Sequence, residues 1–103
     1  MKVVFTTLPD EEKAKTMAKS LVEKRLAACV WVIPNLKSFY IWEGKLEEDN
    51  EVLLVAKTID KKLDELIKAI RDMHPYEVPE IIALNTDYVL PEYLKWAEEV
   101  CNG

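Results

Sequence analysis

The chain is 103 residues long, which accommodates one domain and not two. Half of its residues are hydrophobic and 32% are charged, the composition of an ordinary globular protein. With 19 acidic against 14 basic side chains the net charge is −5, a field that repels phosphate backbones and disfavours general nucleic-acid binding.

Val3-Val4-Phe5-Thr6-Thr7 is a short β-branched apolar run and predicts a first strand. Leu8-Pro9-Asp10 ends it, and Asp10 is placed to cap a following helix. Glu11 and Glu12 then fall at the positive end of that helix dipole. Ala14, Met17, Ala18, Leu21, Val22 and Leu26 recur at helical spacing, with Lys13, Lys15, Lys19 and Glu23 largely on the other side. Ala27 to Ile33 turns β-like before Pro34-Asn35, where a proline predicts a bulge or bend. Phe39-Tyr40-Ile41-Trp42 resumes the strand, and Glu47-Glu48-Asp49-Asn50 is the expected turn. Val52 to Ala56 returns as a buried strand, completing a long hairpin with an irregular first arm.

Thr58 or Asp60 is expected to cap a second helix lined by Ile59, Leu63, Leu66, Ile67, Ile70 and Met73. His74-Pro75-Tyr76 stops it. A last strand is expected over Glu80 to Leu84, and a closing helix from Pro91. The order β-α-β-β-α-β plus a terminal helix is the ferredoxin-like α+β topology. Two helices then cover one face of an antiparallel sheet, and the other face is left for a partner. No internal repeat, linker or low-complexity segment interrupts the single domain, 1–103.

Six short stretches bear on identity: Thr6-Thr7-x-Pro9, Arg25-Leu26-x-Ala28-Cys29, Tyr40-x-Trp42-x-Gly44-Lys45-x-Glu47 with Glu51 following, Lys57-Thr58, His74-Pro75-Tyr76-x-x-Pro79, and Tyr93-x-x-Trp96. In this order, on a ferredoxin-like pattern, the chain resembles the CutA family of divalent-cation tolerance proteins along nearly its whole length. Trp31 stands where a small or polar residue is usual in such chains. The resemblance implies a homotrimer, sheets packed around a threefold axis as in PII-like signalling proteins, and a link to copper tolerance. It also implies an intersubunit cleft lined by Arg25, Lys57, Tyr76 and Glu77.

The side chains themselves narrow the chemistry. The only histidine is His74 and the only serines are Ser20 and Ser38, so a nucleophile–base pairing has little to draw on. Two glycines in total exclude a P-loop or dinucleotide fingerprint, and an enzyme is not expected. Copper and other soft or borderline divalent ions take thiolate and imidazole ligands. One chain offers Cys29, Cys101 and His74, too few for a closed four-ligand site. Cys101 falls near an end expected to fray, so Cys29 and His74 are the expected metal ligands, contributed across subunits. The competing readings are a structural thiol at Cys29 and a helix-end imidazole at His74. Glu47, Glu48 and Asp49 read as a solvated acidic turn, with hard-cation binding as the alternative. Phe39, Tyr40 and Trp42 alternate across a strand and are the expected trimer contacts.

No segment reaches the roughly 20 apolar residues of a membrane-spanning helix. Met1 to Phe5, followed by Thr6, Thr7 and Pro9, shows no secretory pattern, and two lone cysteines read as reduced thiols, so the expected compartment is the cytoplasm. Absent Gln, scarce Gly and abundant Lys and Glu form a bias reported for proteins of hot environments. Three functions are weighed: binding or signalling in metal tolerance, a trimeric scaffold that anchors a partner protein, and a small enzyme using Cys29 or His74.

Overall fold

The computed structural model describes residues 1–102. Seven main elements follow one another: β1 (Lys2–Leu8), α1 (Glu11–Glu23), β2 (Cys29–Trp42), β3 (Lys45–Thr58), α2 (Leu63–Met73), β4 (Ile81–Asn85) and α3 (Pro91–Asn102), with a 3-10 turn over Asp60–Lys62. The four strands form one antiparallel sheet in the order β2-β3-β1-β4. This is the expected ferredoxin-like α+β arrangement with an added C-terminal helix.

Helix α1 begins where its sequence says it should. The Asp10 carboxylate accepts from the Lys13 N–H at 2.8 Å, satisfying one of the free donors of the first turn. It ends on a residue other than glycine in the left-handed region, Arg25, at φ 61°. The Leu26 N–H then reaches the Leu21 carbonyl and the Arg25 N–H reaches that of Val22, both at 3.0 Å. This is a Schellman ending, with arginine where glycine is usual.

Register assigns each strand residue to a face, because opposed residues share one. Val4, Leu8, Val52, Leu54 and Ala56 face the helices and pack with Ala14, Met17, Leu21, Leu66 and Ile70 in the main core. Phe5, Leu53, Val55, Trp31, Ile33, Ile82 and Leu84 occupy the other face. There Trp31, Ile33, Ile82 and Leu84 remain 53%, 43%, 46% and 47% exposed, a run of large apolar side chains left open in the single chain.

Three sequence expectations are corrected. The hairpin turn is Glu43-Gly44, not Glu47–Asn50, which lies inside β3. Both turn residues have positive φ, 51° and 78°, the paired left-handed conformation whose twist matches the flanking strands. Four acidic or amide residues outweighed one glycine in composition, but backbone handedness decides a two-residue turn. The second correction concerns capping. Neither Thr58 nor Asp60 caps α2: Thr58 ends β3 and donates to the Leu26 carbonyl at 2.7 Å, while Asp60 pairs with the Met1 amino group at 3.0 Å. The third concerns Cys101, which is not in a frayed end but buried with Ala28, Ile59 and Ala97.

The expected irregularity at Pro34-Asn35 is present as a register shift between Ile33 and Leu36. Asn35 adopts φ 65°, a conformation asparagine tolerates better than most residues. Three residues of β2 span what two residues of β3 span, so facing parity inverts beyond the bulge.

Candidate functional site

Strand β1 pairs with β3 only as far as Val52. Beyond it, Leu36–Trp42 and Lys45–Glu51 continue as a two-stranded arm standing clear of the sheet. Because of the bulge, Ser38, Tyr40 and Trp42 lie on the same side as Asp49 and Glu51, while Phe39 and Ile41 point to the opposite side. The chain leaving α2 crosses here. Between it and the arm is an open groove of about 690 Å³, its walls including Ser38, Tyr40, Trp42, Asp49, Glu51 and Tyr76.

His74 fastens the crossing segment. Its Nε2 lies 2.9 Å from the Thr7 carbonyl and 3.0 Å from Thr6 Oγ1, and its Nδ1 accepts the Tyr76 N–H at 3.2 Å. That pattern requires the neutral ring with its proton on Nε2. Burial pushes the imidazole pKa below its ordinary 6.5, against the opposing pull of the Thr7 carbonyl and the Glu51 charge. A metal at either nitrogen would have to displace one of these bonds.

Tyr76 then reaches across the groove and donates to Glu51 Oε2 at 2.8 Å, while Ser38 donates to Oε1 of the same carboxylate at 2.6 Å. Tyr40 donates to Asp49. Burial and the Glu51 bond raise the Tyr76 phenol, and the bond to Asp49 is the leading cause that lifts Tyr40 to about 12. Both phenols stay protonated at neutral pH and act as donors. Glu51 and Asp49 are thus held by neutral hydroxyls, and among the described residues no lysine or arginine lines the groove. Glu77 and Glu80 add two more carboxylates to its rim.

The predicted site residues divide into separate groups. Tyr76 and Glu77 line the groove, as do Tyr40 and Trp42, and Phe39 borders it although its side chain falls on the opposite side of the arm. Cys29 and Lys57 lie opposite each other in β2 and β3, on the row of Val3. Lys57 Nζ is 3.7 Å from Cys29 Sγ and 3.2 Å from the centre of the Trp31 ring. Arg25 is exposed at the end of α1, where its left-handed backbone terminates the helix. Cys29 and His74 are not brought together within the chain: their rows on β1, Val3 and Thr6, are roughly 10 Å apart along the strand. Among the described residues, no three His, Cys, Asp or Glu side chains converge as a metal cage would require.

Sequence reasoning did not assign Ser38, Asp49 or Glu51 to a common site. The available signal was the spacing of Ser38, Tyr40 and Trp42, read with the parity change that Pro34-Asn35 announces.

Comparison with known proteins agrees with this architecture. The family model described as CutA1 divalent ion tolerance protein matches residues 2–100. The divalent-cation tolerance protein CutA of Thermus thermophilus is 48% identical over 94% of each chain. The CutA homolog of Xenopus laevis is 47% identical over 97% of this chain and 66% of its own length, and mouse CutA 49% identical over 93% and 54%. The chain therefore spans between half and two thirds of these animal relatives. Among solved structures, CutA of Xylella fastidiosa superimposes with a TM-score of 0.94 at 38% identity, covering 97% of this chain and 96% of the other. The Thermus thermophilus protein superimposes with a TM-score of 0.91 at 48% identity, covering 96% and 97%. An ordered set of six motifs, a ferredoxin-like sheet with one uncovered face, and these matches over nearly the full chain place this protein in the CutA1 divalent ion tolerance family.

Proposed function

We propose that this chain works as a homotrimer in divalent-cation tolerance, by binding and signalling rather than by catalysis, with the cytoplasm as its compartment. The observation that carries the reading is the uncovered sheet face, where Trp31, Ile33, Ile82 and Leu84 stay about half exposed beside an otherwise well-buried core. A patch of this kind on a small domain is a protein contact surface, and a sheet face that repeats in each copy favours a closed symmetric assembly. The projecting arm, with exposed Phe39, Tyr40 and Trp42, extends that surface toward a neighbour.

Cation binding in this reading takes ligands from more than one copy, since the described residues of one chain do not bring three together. Glu51 and Asp49 supply oxygen donors held in place by Ser38, Tyr76 and Tyr40. Cys29 supplies the soft donor that copper prefers. His74 is the weaker candidate, because both ring nitrogens already have partners. Native mass spectrometry after chelation, and then with stoichiometric copper or zinc, tests the proposal. The expected result is a trimer that takes up a fixed number of ions matching its symmetry. A trimer indifferent to both ions contradicts the cation reading and favours the anchoring scaffold instead.

A further inference from the structure

Lys57 is one of the few charged side chains this fold buries, with 9% of its surface exposed. A buried ammonium ordinarily comes with a carboxylate. Among the described residues Lys57 has none; its one polar partner is the Cys29 sulfur, 3.7 Å away. The Trp31 ring caps the same nitrogen at 3.2 Å. The two residues are direct cross-strand partners, so the sheet itself holds their Cβ atoms about 5 Å apart on one face. Cys29 is a free, half-buried thiol. The other thiol, Cys101, is shut into a separate cluster with Ala28, Ile59 and Ala97.

We propose that Cys29 and Lys57 form a reversible oxidative cross-link, a sulfur–nitrogen bond made when a peroxide oxidises the thiol. Hydrogen peroxide transfers one oxygen to the sulfur, which loses two electrons; the O–O bond breaks and water leaves. The product, a sulfenic acid, is an electrophile that condenses with a nearby nitrogen. Lys57 releases one proton to solvent, and its amine lone pair attacks the sulfur. The S–N bond forms as the S–O bond breaks, and the hydroxyl departs as water with a second amine proton. Two equivalents of an external thiol reverse the step, returning thiol and amine. Trp31 favours this course over further oxidation because it screens the amine from bulk water and holds it against the sulfur. The cross-link removes the positive charge beneath Trp31 and ties the start of β2 to the end of β3. Oxidation is thereby coupled to the uncovered sheet face; the step needs no bound cation, and a cation held by the Cys29 sulfur would compete with it.

The test is intact-mass spectrometry of the full chain treated with hydrogen peroxide. The expected result is a loss of about 2 Da per chain, reversed by dithiothreitol. Tandem spectra should join the peptides containing Cys29 and Lys57. In Lys57→Arg, which keeps a cation under Trp31 without an amine able to condense, Cys29 should instead gain about 16 or 32 Da. A wild-type chain whose Cys29 peptide itself gains those masses without the loss overturns the proposal, as does a loss that maps to a Cys29–Cys101 disulfide. Should Lys57→Arg fail to fold, the wild-type tandem map decides alone.

Discussion

His74 is bonded at both ring nitrogens, and the bond at Nδ1 exists only while the ring is neutral. Its pKa is lowered from 6.5 by burial, so the unfolded chain takes up the proton first as pH falls. The stabilisation is therefore complete only well above pH 6.5, declines as pH falls through 6.5 toward the lower folded value, and levels off beneath it. The stability difference between wild type and His74→Gln, measured in urea, should narrow as pH falls through about 6.5. A difference that stays constant contradicts the neutral, doubly bonded ring. Tyr76→Phe removes one of the two donors to Glu51 and should cost about 1 kcal/mol in the same assay; no loss would mean that water replaces the bond freely. At Arg25 the expectation has the opposite sign. Glycine in that left-handed position should stabilise the fold by about 0.5–1 kcal/mol, and a destabilised Arg25→Gly variant would show that the arginine side chain contributes contacts of its own.

The arm formed by β2 and β3 depends on two local backbone choices, the Glu43-Gly44 turn and the bulge at Pro34-Asn35. Glu43 sits at φ 51°, where asparagine is favoured. Glu43→Asn should raise the thermal midpoint, equivalent to roughly 0.5 kcal/mol. Nothing lies within 4 Å of a Cβ placed on Gly44, so Gly44→Ala should cost only the backbone penalty of about 1–2 kcal/mol. An unchanged midpoint for both variants would contradict the paired left-handed turn. The strands, the three helices and the bulge were legible in the sequence because each leaves a periodic or steric signature. Asp10 before an apolar stripe and proline within a strand are examples. The turn was misplaced because Glu47–Asn50 has turn-like composition, whereas handedness requires glycine at Gly44. The groove was not legible for a different reason. It joins Ser38 to Glu51 and Glu51 to Tyr76, pairings across 13 and 25 residues that depend on a parity inverted by one inserted residue. Cys101 was misread because its burial comes from Ala28 and Ile59, distant positions that no local pattern links to α3.

At the scale of the whole molecule, the main core accounts for the helix-covered side of the sheet and leaves the other side unfinished. Phe5, Ile82 and Leu84 on β1 and β4 continue the apolar surface begun by Trp31 and Ile33 on β2. An acid placed there should leave the single-chain core intact and make assembly unfavourable, since a buried charge without a partner is costly. Ile82→Asp is suited to this, being half exposed in the isolated chain and not among the residues that line the groove. The measurement that bears most directly on the central claim is sedimentation velocity of wild type beside Ile82→Asp, with circular dichroism confirming that both are folded. A wild-type trimer and a folded, dissociated variant are predicted. A wild-type monomer, or an Ile82→Asp trimer as stable as the parent, would contradict assembly through the uncovered sheet face.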